Sequence, residues 1–181
     1  LASFDDVLRH FGRQIELKWR PDEAPEGRVW ILWYDKALDR RVRGRLHELQ
    51  QATEVAGHGW RHLDLAKIFP TWIVGVEFLP RLLRRPEQLS GLLAEFRQVV
   101  ALRVRQELDA AGQSDLVALS GCASLFGQLR TADLVADVSP HIRGRLLLLF
   151  PGQHHAGIYR LLDARESWNY RAVPIPSSDT Y

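Results

Sequence analysis

The segment Ser120-Gly121-Cys122-Ala123-Ser124 places two hydroxyls and the chain's single thiol where the apolar run Asp115–Leu119 gives way to a turn. Free backbone N–H groups at such a strand-to-helix turn hold anions, and a helix N-terminus lowers the pKa of a nearby thiol. A nucleophile there needs a general base, and no sequence neighbour supplies one. The spacing is also not that of the G-x-S-x-G nucleophile elbow. Small residues at this position more often simply permit close packing of strand and helix. His154-His155 follows Phe150-Pro151-Gly152, but adjacent side chains on extended backbone point apart and rarely share a metal. His58 and His62 have the i,i+4 spacing of a helical zinc pair, yet Gly57 and Gly59 argue against that helix. Glu16-Leu17-Lys18, with Asp5 and Asp6 upstream, matches the acid-x-Lys element of metal-dependent nucleases, but its acids precede it on a helix instead of a strand end. The three lysines follow Leu17, Asp35 and Ala66, never a glycine, which excludes a standard P-loop, and G-x-G-x-x-G is absent. The expectation is therefore no catalytic set, no resident metal and no cofactor. A phosphate- or nucleotide-binding module built on the Ser120-Gly121 turn is the first alternative, and a divergent metal-dependent nuclease the second.

The elements that must carry these residues alternate between two periods. Phe4, Val7, Leu8, Phe11 and Ile15 fall at helical spacing behind Ser3, a good N-cap. Pro21–Gly27 reads as a loop, and Val29–Tyr34 (VWILWY) as a central strand buried on both sides. Leu38, Val42, Leu46 and Leu49 predict one amphipathic helix running to Gly57. His62–Leu65 reads as a short strand, and Ala66–Leu83 as two short helices. A long helix opens at Pro86 and closes at Gly112. Strand Asp115–Leu119, a loop with a helix to about Val138, and strand Arg145–Phe150 follow. A short helix near Ile158–Leu162 leads to a last strand, Tyr170–Ile175, in which Pro174 suits an edge.

This alternation predicts a three-layer α/β/α sandwich whose mostly parallel sheet has about five strands. The class is P-loop-NTPase-like or Rossmann-like, without nucleotide motifs. Parallel strands deliver their C-terminal ends to one rim, here gathering Asp35, Ser120, Gly121, Cys122, Pro151 and Gly152. Residues 1–176 read as a single domain and 177–181 as a loose tail.

At 46% hydrophobic and 25% charged, the chain has the balance of a globular protein instead of a disordered one. The net charge of +2 is too small to imply a nucleic-acid partner by itself. A lone cysteine allows no internal disulfide, and no apolar run is long enough for a membrane span, so a cytoplasmic location is expected. Lysine supplies only three of the 24 basic side chains; arginine, which contacts anions in bidentate fashion, supplies the rest. The clusters Arg40–Arg45, Arg81–Arg85 and Arg103–Arg105 read as solvated helix faces. Among the tryptophans, Trp30 and Trp33 read as core and Trp19 and Trp60 as the more exposed pair, suited to an interface beside arginine.

The C-terminal third resembles the BrxB family of bacteriophage exclusion (BREX) defence systems. The resemblance rests on three segments: Leu119-Ser120-Gly121 followed by Arg130, Leu149-Phe150-Pro151-Gly152 followed by Gly157, and Asn169-Tyr170-Arg171-Ala172. Cys122-Ala123, Gly127 and His154-His155 depart from the family pattern. What the resemblance implies is a non-enzymatic accessory protein that docks a PglZ-like component of the alkaline-phosphatase superfamily, with DNA contacted only indirectly or weakly. Arg130, Asn169 and Arg171 then join the rim as partner- or anion-binding residues. Arg130 and Arg171 are expected to be ion-paired pins in or near the core, with Asp35, Asp115 or Asp133 as the carboxylate.

Overall fold

In the computed structural model, the structure describes residues 3–20, 22–76, 89–125, 127–155, 158–161 and 172–176. Helix α1 is Phe4–Ile15, and Ser3 caps it: its Oγ accepts from the Asp6 N–H at 3.1 Å and donates to the Asp6 carboxylate at 2.7 Å. Strand β1, Val29–Tyr34, is buried at all six positions, as an apolar run covered on both faces must be. The helix expected from Leu38 to Gly57 is broken in two, α2 (Asp39–Gly44) and α3 (Leu46–Val55). The break falls at Arg45, whose guanidinium turns back over the Phe4 ring and pairs with Glu48. Strand β2 is Gly59–Asp64, longer than expected, and α4 is Ile68–Val74. The rest of the Ala66–Leu83 expectation, and Pro86, lie outside the described residues. Helix α5 is Leu89–Asp109, β3 is Asp115–Ser120 and α6 is Thr131–Val138. Strands β4 (Arg145–His155), β5 (Ile158–Leu161) and β6 (Val173–Ile175) complete the order.

Five strands form an all-parallel sheet in the order β2-β3-β4-β1-β6, as the alternation of elements predicts. Each face has its own core. One packs α1, α2 and α3 onto Trp30, Leu32, Leu116, Ala118, Leu147 and Leu149. The other packs α4, α5 and α6 onto Ile31, Trp33, Val117, Leu119, Leu146 and Leu148. Trp30 and Trp33 are core, as read, while Trp19 and Trp60 are half-buried at its border.

Two expectations near the end fail: the strand expected over Arg145–Phe150 does not stop at Pro151-Gly152 but runs through it to His155, and the helix expected next does not form. Where a helix near Ile158–Leu162 is expected, Ile158–Leu161 is a strand and pairs antiparallel with the far end of β4, Gly152 opposite Leu161. The cause is the length of β4. Its neighbours stop pairing at Leu119–Leu148 and Tyr34–Pro151, so the backbone groups beyond need a new partner. The last strand is described only over Val173–Ile175, at the sheet edge where Pro174 is tolerated. Tyr170, Arg171 and the tail 177–181 lie outside the described residues.

Candidate functional site

Because the strands are parallel, Asp35, Asp64, Ser120 and Pro151-Gly152 all emerge at one rim. Tyr34 is opposite Pro151 and Asp64 opposite Ser120. The loop after β1 turns to the face of α2 and α3, while those after β2 and β3 turn to the other face. Open α/β sheets hold ligands where loops part in this way. Here β4 continues through that position, with His154 buried beside the Trp33 ring at 6.0 Å.

Burial separates the expected rim residues into two kinds. Ser120, Gly121, Pro151 and Gly152 are buried; Asp35 and Arg130 are exposed. The Asp35 carboxylate accepts from the Ala37 N–H at 2.8 Å and so caps the turn after β1. Arg130 precedes α6, and its carbonyl accepts from the N–H groups of Asp133 and Leu134. Arg130 is not a buried pin: its side chain has no ion pair among the described residues. The carboxylates expected to hold it are used elsewhere. Asp133 pairs with Arg97, and Asp115 accepts from the Gly112 N–H at 2.7 Å at the opposite edge of the sheet. Asn169 and Arg171 lie outside the described residues.

The Ser120-Gly121 turn is not an open anion nest. Gly121 has φ of +73°, and a Cβ there would come within 2.8 Å of both the Ala66 nitrogen and the Asp64 Oδ1. The space is filled by the neighbouring turn, and the group at its mouth is a carboxylate, which repels a phosphate. Asp64 itself accepts from the Ala66 N–H at 3.1 Å and pairs with Arg43 at 3.0 Å. Cys122 is fully buried, and burial pushes its thiol up to about 12, opposite to the effect of a helix N-terminus.

A residue first weighed as a metal ligand joins this turn from the adjacent strand. The His62 Nε2 lies 2.8 Å from the Ser120 Oγ. Both line a cavity of about 430 Å³ with Asp39, Arg40, Arg43 and Lys67. The Tyr34 hydroxyl donates to Asp39 at 2.9 Å, and burial together with that carboxylate holds the phenol well above its usual range. Sequence reasoning found no base for Ser120 because the base stands on another strand. The legible signal was the alternation of His62 and Asp64, which share one face of β2. The pair is an incomplete nucleophile arrangement: among the described residues no carboxylate bonds the other ring nitrogen, and Ser120 is 1% exposed.

The nuclease alternative does not assemble. Asp5 and Asp6 sit in the first turn of α1 and Glu16 at its C-terminal end, about 15 Å apart at the helical rise. Among the described residues there is no group of three His, Cys, Asp or Glu side chains placed to hold a metal. No described helix is long and apolar enough to cross a membrane. No family model, curated protein or solved structure matches this chain.

Proposed function

We propose that the chain is a non-enzymatic docking module that works in the cytoplasm within a BREX-type anti-phage assembly, engaging a PglZ-like component through the C-terminal rim of its sheet. The observation that carries this reading is the meeting of two of the segments on which the resemblance rests. Ser120-Gly121 closes β3, Pro151-Gly152 stands in the neighbouring β4 where its parallel pairing ends, and both are buried. They act as the floor of the surface, and the contacts come from the exposed charges around them: Asp35, Arg40, Arg43, Lys67 and Arg130. Exposed charges of both signs on a fixed floor give register and partner choice. DNA contact is then indirect, through the assembly.

The test is co-elution of the purified chain with the PglZ-like protein in gel filtration. Asp35→Lys and Arg130→Glu together are expected to abolish co-elution while lowering the thermal transition only by the few degrees that loss of the Asp35 cap costs. Arg143→Glu, at the opposite edge of the sheet, is expected to retain it. Unaltered co-elution of the rim double variant removes the rim as the docking surface.

A further inference from the structure

The opposite edge of the sheet, where the parallel strands begin, carries a polar cavity of about 540 Å³. Its lining is strongly basic: Lys18, Arg20, Arg28, Arg143 and Arg145 against the single acid Glu16. Three buried nitrogens of its lining residues have no hydrogen-bond partner among the described residues: Trp19 Nε1, His58 Nδ1 and Arg145 Nε. Such groups are rare in native proteins, because each forfeits its hydration without a replacement bond. Three of these nitrogens belong to residues that line one cavity.

The groups are held rigidly. His58 stacks flat on Trp19, with ring centroids 3.7 Å apart and planes 2° apart. The Arg145 guanidinium lies 5.0 Å from the same indole. Arg145 is 4% exposed; its Nη2 donates to the Glu23 carboxylate at 2.6 Å and its Nη1 to the Gly144 carbonyl at 3.0 Å. One carboxylate does not use all five donors of a guanidinium. Burial lowers the Arg145 pKa, so the charge sits under a desolvation penalty that a bound anion relieves. Arg28 is fixed alongside by bonds to the Glu23 and Ile142 carbonyls, both at 2.9 Å.

We propose that this cavity binds a phosphate-bearing small molecule, with Arg145 and the Trp19 indole N–H contacting the phosphate oxygens. A basic wall with rigid N–H donors selects a tetrahedral oxyanion over a neutral ligand. The volume accommodates a mononucleotide as well as free phosphate. The site is separate from the docking rim and does not depend on it.

The indole N–H signals of the ¹⁵N-labelled full chain are followed by NMR during titration with inorganic phosphate, AMP and adenosine, at sodium chloride matched in ionic strength. Trp19 is assigned by its loss in Trp19→Phe. Phosphate and AMP are expected to shift the Trp19 signal and adenosine is not. The Trp33 indole, which donates to the Pro176 carbonyl at the far rim, serves as the stationary reference. Tighter binding of AMP than of phosphate marks a nucleotide site, and equal binding a site for the phosphate group alone. Arg143→Glu changes an exposed side chain, keeps the fold, and is expected to weaken binding about tenfold. The proposal is overturned if neither anion moves Trp19 beyond the chloride control. It is also overturned if adenosine moves it equally, or if Arg143→Glu leaves the affinity unchanged.

Discussion

Cys122 shows how burial overrides a local electrostatic argument. The turn that follows β3 offers the thiol free N–H groups, but its side chain faces the core beside Leu119 and Leu125, where no thiolate is solvated. A pKa raised from about 9 to about 12 leaves roughly a thousandfold less thiolate near pH 8. Ellman's reagent is therefore expected to react with the native chain far more slowly than with the chain in guanidinium. Equal rates would place the thiol at the surface. His62 makes the complementary case. Burial is the main cause of its lowered pKa, with Lys67 and Arg43 adding to it and Asp64 opposing it. The unfolded histidine titrates near 6.5, so below that pH the unfolded chain takes up its proton first. The stability from a neutral His62 is full above about pH 6.5 and lost as the pH falls toward the native value. His10 shifts in the same direction, also chiefly through burial. Denaturant midpoints between pH 5 and 7 are expected to drop on the acid side, less so in His62→Gln.

Secondary-structure elements are pinned at their ends by a few residues. The Ser3 hydroxyl accepts from the orphan Asp6 N–H of α1 and donates to the Asp6 carboxylate, and Ser3→Ala is expected to cost about 1 kcal/mol in chemical denaturation. Gly144 is less forgiving. A Cβ there would lie 2.1 Å from the Asp115 carbonyl oxygen and 2.9 Å from that of Gly112, both backbone. Gly144→Ala must push the start of β4 away from β3, and a loss of several kcal/mol, of the order seen for overpacked or strained sites, is expected. A melting temperature within a few degrees of the parent would show that this junction yields.

Across the molecule as a whole, the sheet separates two cores that share strands but no side chains. Phe11 fills one and Phe96 the other, each fully buried. Truncation of either to alanine is expected to cost about 3–5 kcal/mol. Because the two cavities lie on opposite faces, the costs should add to within about 0.5 kcal/mol. A large coupling would mean that the sheet transmits strain between its faces. Strand direction makes a second division: the exposed charges proposed for docking lie where the parallel strands end, and the basic cavity lies where they begin.

Periodicity alone carried the layer architecture, the parallel sheet, the buried β1 and the common rim, because burial on one or two faces writes itself directly into the order of apolar residues. Gly57 and Gly112 each stand within three residues of a helix end, whereas Pro151-Gly152, read as the end of a strand, lies inside β4. What lay beyond periodicity were relations between residues distant in the chain. Ile158–Leu161 became a strand because β4 outruns its neighbours and needs a partner there. Arg130 stayed exposed because Arg97 takes Asp133, and Ser120 met His62 only through the register of β2 on β3. The basic cavity gathers residues from the end of α1, the turn before β2 and the approach to β4. No spacing rule joins them; only the shared starting edge of parallel strands does, since contact between remote segments is set by packing in three dimensions and leaves no local trace in composition.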